Sequence, residues 1–489
     1  MNRRPPTQLT HTSPSRGIDP AARRDIIIGV LLAMFLAALD QTIVAPALPT
    51  IGDSLGNAEY LSWIVTAYLL TATAVTPLCG KLADIKGRRP VIFWAIGIFV
   101  AGSIISALAR SMLLLVAGRA IQGVGGGGLG ALAMTVIGDV VAPRERGQYQ
   151  GYISGMWGIA SLAGPIVGGI LAQKLHWSMI FWINLPLAAF AIIFLNAPLK
   201  KLPPVHGRHR LDLLGAGLVI LATISLMLVL TWGGSRFAWT SPQVLGLTFV
   251  SLVFWVLFGL RIRGCDEPIL PMEVLKNPTV ATATASNFFS MAVNLGLGVY
   301  IPLYLQGVRH LSPSGAGMSL VPLMSSMVCG AAFSGWMTTR LRHYKRVALV
   351  GVTTAALALF LLAAWAGGLP YVGLETFFVV IGAGVGTSFP LAIVCVQNAV
   401  DPAHLGVATG AATFLRSLGG AMGVSVLGAV FLSHGFAQNA ETAQGLSDLG
   451  TRAGAAFAAI FLTAGLGLVI TNVFLLFMEE KPLRSGRAE

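Results

Sequence analysis

The chain has 489 residues, of which 55% are hydrophobic and only 10% charged, and its mean hydropathy is +0.77. That composition excludes a soluble globular domain and indicates a polytopic membrane protein. A net charge of +13 would suit a nucleic-acid partner, but the charges follow the loops of a membrane topology, so no nucleic acid is expected.

Residues 1–25 form a tail in which Arg3, Arg4, Arg23 and Arg24 flank a stretch rich in Pro, Ser and Thr. It cannot bury a core and is expected to be disordered, within reach of anionic lipid. Apolar runs long enough to cross a hydrocarbon core about 30 Å thick then recur at 26–48, 61–79, 90–109, 112–140, 149–173 and 179–199. The first run is long, contains Asp40 and lacks a small-residue cleavage site, so it reads as a retained helix and not a signal peptide. A basic linker, LKKLPPVHGRHRLD from Leu199, leads to runs at 213–232 and 244–260. A second polar stretch, RIRGCDEPILPMEVLKNP from Arg261, precedes runs at 279–305, 314–337, 347–366, 372–396, 405–432 and 453–478.

The expected fold is thus all-α, with fourteen transmembrane helices in two six-helix bundles, 26–199 and 277–478. A linker, 200–276, carries two extra helices that read as a structural insert at the periphery, and 479–489 is a second tail. With the N-terminus inside, 25 of the 32 Lys and Arg residues fall on one face. The opposite face holds Arg110, Lys174, Arg236, Arg309 and Arg452, while Arg119 and Arg416 lie within apolar runs. The excess of basic loops predicts that both chain ends are cytoplasmic. Cys79, Cys265, Cys329 and Cys395 have neither CxxC nor metal-ligand spacing and are expected to be free thiols.

Some residues are too costly to be filler. Asp40 is a carboxylate expected near mid-membrane, where an ionised acid is expensive and tends to be functional. The alternative is a structural carboxylate bonded to a neighbouring helix or to Thr42. Arg119 cannot lose its charge and demands carboxylate or carbonyl partners; Asp40, directly or through Gln122, is one candidate and backbone carbonyls are another. The short loop GKLADIKGRRPV from Gly80 packs five charges and two glycines between two helices, with Asp84 able to accept from Arg88 or from a facing helix N-terminus. Arg416 sits among glycines with no obvious acid partner, and Glu375 reads as a helix-start carboxylate or an outer cation site.

Together, LDQTIVAPALP from Leu39, the Gly80 loop, GRAIQGVGGG from Gly118, GIASLAGPIVGG from Gly158 and WSMIFWINLP from Trp177 resemble the major facilitator superfamily, in its fourteen-helix drug:proton antiporter branch. The resemblance covers nearly the whole chain. It implies proton coupling through Asp40, Arg119 and Gln122. It implies a cytoplasmic latch made by Gly80, Asp84, Gly87, Arg88 and Arg89. It also implies an antiporter helix motif at Gly158, Gly164, Pro165, Gly168 and Gly169. Tyr68, Phe289, Asn294, Tyr300, Tyr304, Gln397 and Arg416 are candidates for a substrate cavity, where aromatic rings would suit flat lipophilic cations.

The expected function is proton-coupled export of hydrophobic, cationic drugs or toxic compounds by alternating access, an antibiotic-resistance type of activity. The alternative is export of an endogenous lipid, antibiotic, siderophore or metabolite, with Arg119 and Arg416 offering an anion site. A membrane-embedded enzyme is disfavoured, since no catalytic cluster or metal site is evident. No cofactor is expected beyond the proton gradient. The expected partners are small molecules, protons and membrane lipid, for a monomer in the plasma membrane, the inner membrane if Gram-negative.

Overall fold

The computed structural model describes residues 19–56, 60–201, 212–234, 237–265, 268, 272–311, 317–341, 343–365, 369–401, 404–433 and 451–480. Residues 1–18 of the N-terminal tail, the histidines of the linker, most of the loop after Ser433 and the far C-terminus lie outside the described residues; the end of the tail is not disordered as expected, because the first helix already begins at Pro20 and Arg23 pairs with Glu145.

Among the described residues, fourteen helices are long and apolar enough to span a membrane. They are α1 (Pro20–Ile43), α2 (Leu61–Lys86), α3 (Arg88–Ala107), α4 (Met112–Val140), α5 (Pro143–Lys174), α6 (Met179–Asn196), α7 (Leu213–Trp232), α8 (Pro242–Gly264), α9 (Pro278–Gly307), α10 (Leu320–Arg340), α11 (Lys345–Trp365), α12 (Tyr371–Ala399), α13 (Leu405–Ser433) and α14 (Thr451–Phe477). Their starts follow local chemistry. Ser111, Ser241 and Asn277 cap α4, α8 and α9 by accepting first-turn N–H groups that would otherwise lack partners. Several helices outrun the apolar runs that mark them. For example, α2 continues to Lys86 and α5 starts at Pro143, because a helix can carry its charged turns beyond the hydrocarbon. Conversely, the run 26–48 is not one helix: α1 begins at Pro20 and ends at Ile43, and a 3-10 turn, Ala45–Ala47, follows.

Helices α1 to α6 pack on one another, as do α9 to α14. Two seams join these groups, α2 against α13 and α5 against α10. Small residues allow the close approach. A Cβ on Gly80 would lie 2.5 Å from the Gly406 carbonyl across the first seam, and one on Gly158 would lie 2.7 Å from the Val328 side chain across the second. Gly87 has φ of 91°, a conformation that makes the reversal between α2 and α3 possible without a Cβ penalty.

The expectation that both extra helices are peripheral is corrected for α7. It packs on α2 and α13 at the first seam, where Ser425 Oγ donates to the Leu230 carbonyl at 2.9 Å and the Trp63 and Trp232 rings meet at 5.9 Å. Only α8 is peripheral: it packs on α7, and its exposed Phe249, Leu252, Val256 and Leu260 form a surface suited to lipid. Asp212 ties the pair together, capping α7 through the Gly215 N–H at 3.0 Å and accepting from Arg261 Nε at 3.1 Å. Burial works against the Asp212 charge, but the Gly215 and Arg261 bonds outweigh it and hold the carboxyl below the usual carboxylate range.

Candidate functional site: a cavity beside a buried ion pair

Asp40 is fully buried, three residues before α1 ends, in the half of that helix that lies away from the basic loops. Arg119 Nη1 donates to Asp40 Oδ2 at 2.5 Å and to Gln122 Oε1 at 2.6 Å. Gln122 Nε2 donates to Asp40 Oδ1 at 2.6 Å, so the acid and the guanidinium are joined both directly and through the amide. Asn184, from α6, donates to Asp40 Oδ1 at 2.9 Å, and Ser103 accepts from Gln122 at 2.8 Å. Arg119 Nε holds the Ile64 carbonyl at 3.1 Å, and its guanidinium stacks over the Tyr68 ring at 4.5 Å. Thr42 is not part of this network; its hydroxyl donates to the Ala160 carbonyl at 2.9 Å. Helices α1, α4 and α6 thus meet at one carboxylate, and α3 joins them through Ser103, which accepts from Gln122 and Asn184.

A second cluster closes the basic end of the first seam. Arg88 pairs with Asp84 and donates from Nε to Asp139 Oδ2 at 2.8 Å. Asp84 also accepts from the Val407 N–H, at the start of α13, at 2.8 Å. Gln397 Nε2, from α12, donates to the Met134 carbonyl of α4 at 3.0 Å. These two hydrogen bonds cross between the helix groups, both toward the basic face. Arg89 does not join them: it turns to its own group and donates to Asn196 Oδ1 at 2.9 Å.

Between the groups lies a cavity of about 800 Å³, roughly the size that takes a drug-like molecule. It is walled mostly by apolar side chains from both groups, among them Met34, Leu69, Trp157, Met291, Leu295, Met327 and Phe389. It extends to Gly233, Gly234 and Trp239 just beyond the C-terminal end of α7. Helix α7 itself supplies Met227, Leu230 and Thr231. The ionisable lining residues are Tyr68, Arg119, Tyr300 and Arg416, and no Asp or Glu lines the cavity among the described residues.

Of the expected cavity residues, Tyr68, Asn294, Tyr300 and Arg416 line it. Phe289, Tyr304 and Gln397 do not. Phe289 stacks on Phe474 at 5.8 Å, Tyr304 packs against Phe457 and Phe461, and Gln397 lies in the closed end described above. These positions follow from the face of α9 or α12 on which each residue falls, which segment hydropathy does not encode. The fifth-helix motif is also divided. Gly158 meets α10, Gly164 and Gly168 meet the end of α1, a Cβ on Gly169 would meet nothing within 4 Å, and Pro165 is exposed. Sequence reasoning missed Ser103, Asn184 and Asp139. Asn184 stood within WSMIFWINLP as a polar amide in an apolar run, and Asp139 as an acid near a helix end; both were available signals.

A family model described as Major Facilitator Superfamily matches residues 30–424. The multidrug transporter protein MdtP of Bacillus subtilis is 35% identical over 405 residues, covering 83% of this chain and 74% of that protein. The efflux pump FUS6 of Gibberella fujikuroi is 34% identical over 420 residues, covering 84% and 75%. The solved structure of the proton:xylose symporter XylE, bound to a bromodeoxyglucose, superposes with a TM-score of 0.65 at 15% identity, covering 95% of this chain and 98% of that one. The fourteen helices, the two six-helix groups and the cavity between them are those of a multi-pass transporter and not an enzyme, and the chain belongs to the major facilitator superfamily.

Proposed function

We propose that the chain exports hydrophobic small molecules across the plasma membrane in exchange for protons, by alternating access. The observation that carries this reading is the buried network of Asp40, Arg119, Gln122 and Asn184 beside the cavity. With the basic face in the cytoplasm, as the positive-inside rule assigns it, the closed seams are cytoplasmic and the cavity extends toward the outside. Asp40 then sits on the side from which protons arrive. A proton taken up at Asp40 removes the charge that holds Arg119, and the bonds from Gln122 and Asn184 weaken with it. That loosens four helices at once, as a switch between two packings requires. Asp84 works at the other end, where its bond to the Val407 N–H and its pairing with Arg88 favour the state closed to the cytoplasm.

The energy is sufficient. One charge moved through 100 mV supplies about 2.3 kcal/mol, roughly a fiftyfold concentration ratio before any pH difference is added. The efflux and multidrug names of the relatives support export as the direction. The test is transport in proteoliposomes under an imposed proton gradient, with ethidium and a naphthalenesulfonate as probes, comparing the unaltered chain with Asp40→Asn. Gradient-driven movement of either probe that disappears in Asp40→Asn is the expected result. Equal movement in both proteins removes Asp40 from the coupling step.

A further inference from the structure

We infer that Arg416 is an anion-recognition residue, and that the cavity takes hydrophobic compounds bearing one negative group, such as a carboxylate or sulfonate. This deepens the export reading and rests on it. Two guanidiniums face the cavity, but they are not equivalent. Arg119 is neutralised by Asp40 and held by Gln122 and the Ile64 carbonyl. Arg416 has no carboxylate within ion-pair distance and no hydrogen-bond acceptor among the described residues, and its Nε is shielded from solvent and unpartnered. The cavity wall therefore carries a net charge of about +1 while Asp40 is ionised, and more once Asp40 is protonated. No lining carboxylate offers a counter-charge for a cationic ligand.

An unpaired guanidinium in a largely apolar wall is costly, and a planar fork of five N–H donors is matched best by an oxyanion. The neighbourhood fits that role. Thr413, Arg416, Ser417 and Gly420 fall on the cavity-facing side of α13, with Asn294 and Met291 among the lining residues of α9. The hydroxyls of Thr413 and Ser417 donate to their own helix, at the Thr409 and Thr413 carbonyls, so they do not neutralise the guanidinium. The Asn294 amide makes only a 4.0 Å contact to Met291 sulfur and remains free to donate. The rest of the wall, from Leu295 and Met327 to Trp157 and Phe389, receives an apolar body. Export of such an anion has a direct electrical advantage. An inside-negative potential drives a single negative charge outward by about fiftyfold per 100 mV, in addition to the charge of any proton moving in.

The test is equilibrium binding of two radiolabelled probes to the purified full-length chain in detergent, naphthalenesulfonate and naphthyltrimethylammonium, which share an apolar body and differ in charge. The sulfonate is expected to bind more tightly. Arg416→Gln is expected to weaken it by about ten- to hundredfold, with Arg416→Lys intermediate because it keeps the charge and loses the fork. The inference is overturned if the ammonium probe binds as tightly as the sulfonate in the unaltered chain, a comparison that needs no variant to fold. It is equally overturned if Arg416→Gln leaves sulfonate affinity unchanged, which would mean that water alone hydrates the guanidinium. Binding does not depend on turnover. Sulfonate binding with the expected selectivity but without gradient-driven transport would sink the export reading and leave the anion site standing.

Discussion

Asp40 and Arg119 are each almost wholly buried, and an ion pair in that position is far more sensitive to losing one partner than to losing both. Arg119→Leu strands a carboxylate and is expected to cost about 3–5 kcal/mol of stability, whereas the double variant Asp40→Asn with Arg119→Leu recovers much of that loss. Thermal unfolding of the detergent-solubilised proteins, followed by intrinsic fluorescence, checks this. Equal destabilisation by the single and double variants would mean that the side chains act through shape and not charge. The acid and the arginine were legible in the sequence because charge inside an apolar run is conspicuous. The place of Asp40 close to the end of α1 was not, since the apolar run continues through the 3-10 turn that follows the helix. Asn184 was missed for the opposite reason: an uncharged amide is cheap enough to pass as packing until a carboxylate oxygen is found 2.9 Å away.

At the scale of helices, the loop between α2 and α3 acts by reaching a third element, the start of α13. Asp84→Asn gives up the ionic part of its bonds to Arg88 and the Val407 N–H and is expected to raise thiol labelling at a Val407→Cys reporter about tenfold, in a background whose native cysteines are replaced. Gly80→Val should open the same end, because its side chain would meet the Gly406 backbone, which has little room to give. Unchanged labelling in both variants would dismiss the loop as a latch. The hairpin of α7 and α8 has a separate pH signature. Because Asp212 is held below the usual carboxylate range, its contribution is present above the unfolded carboxyl value of about 3.9 and disappears as pH falls through the lower folded value. Asp212→Asn should therefore lower the melting temperature at neutral pH, with the gap closing in acid. The motif around Gly80 announced a junction, but the identity of the helix it meets is a tertiary fact, and Arg89, within the same motif, turns the other way to Asn196.

For the molecule as a whole, the distribution of Lys and Arg predicts that both ends face the cytoplasm. A green fluorescent protein fused after Glu489 should be bright, whereas an alkaline phosphatase inserted in the loop after Ser433 should be active only if that loop is outside; the reverse pattern would invert the orientation. The number of spans could be read from hydropathy, since each run must cover the same hydrocarbon thickness. The place of α7 could not, because its contacts with α2 and α13 leave no local signature in a helix of nearly uniform apolarity. Its position makes the two seams unequal. A solute dissolved in the bilayer that approaches between α2 and α13 meets an additional helix braced by Ser425 and Trp63, whereas α5 and α10 meet without one. Among the described residues, α7 thus shutters one seam from the side while the other stands bare, so the molecule presents two unlike flanks to the lipid around it.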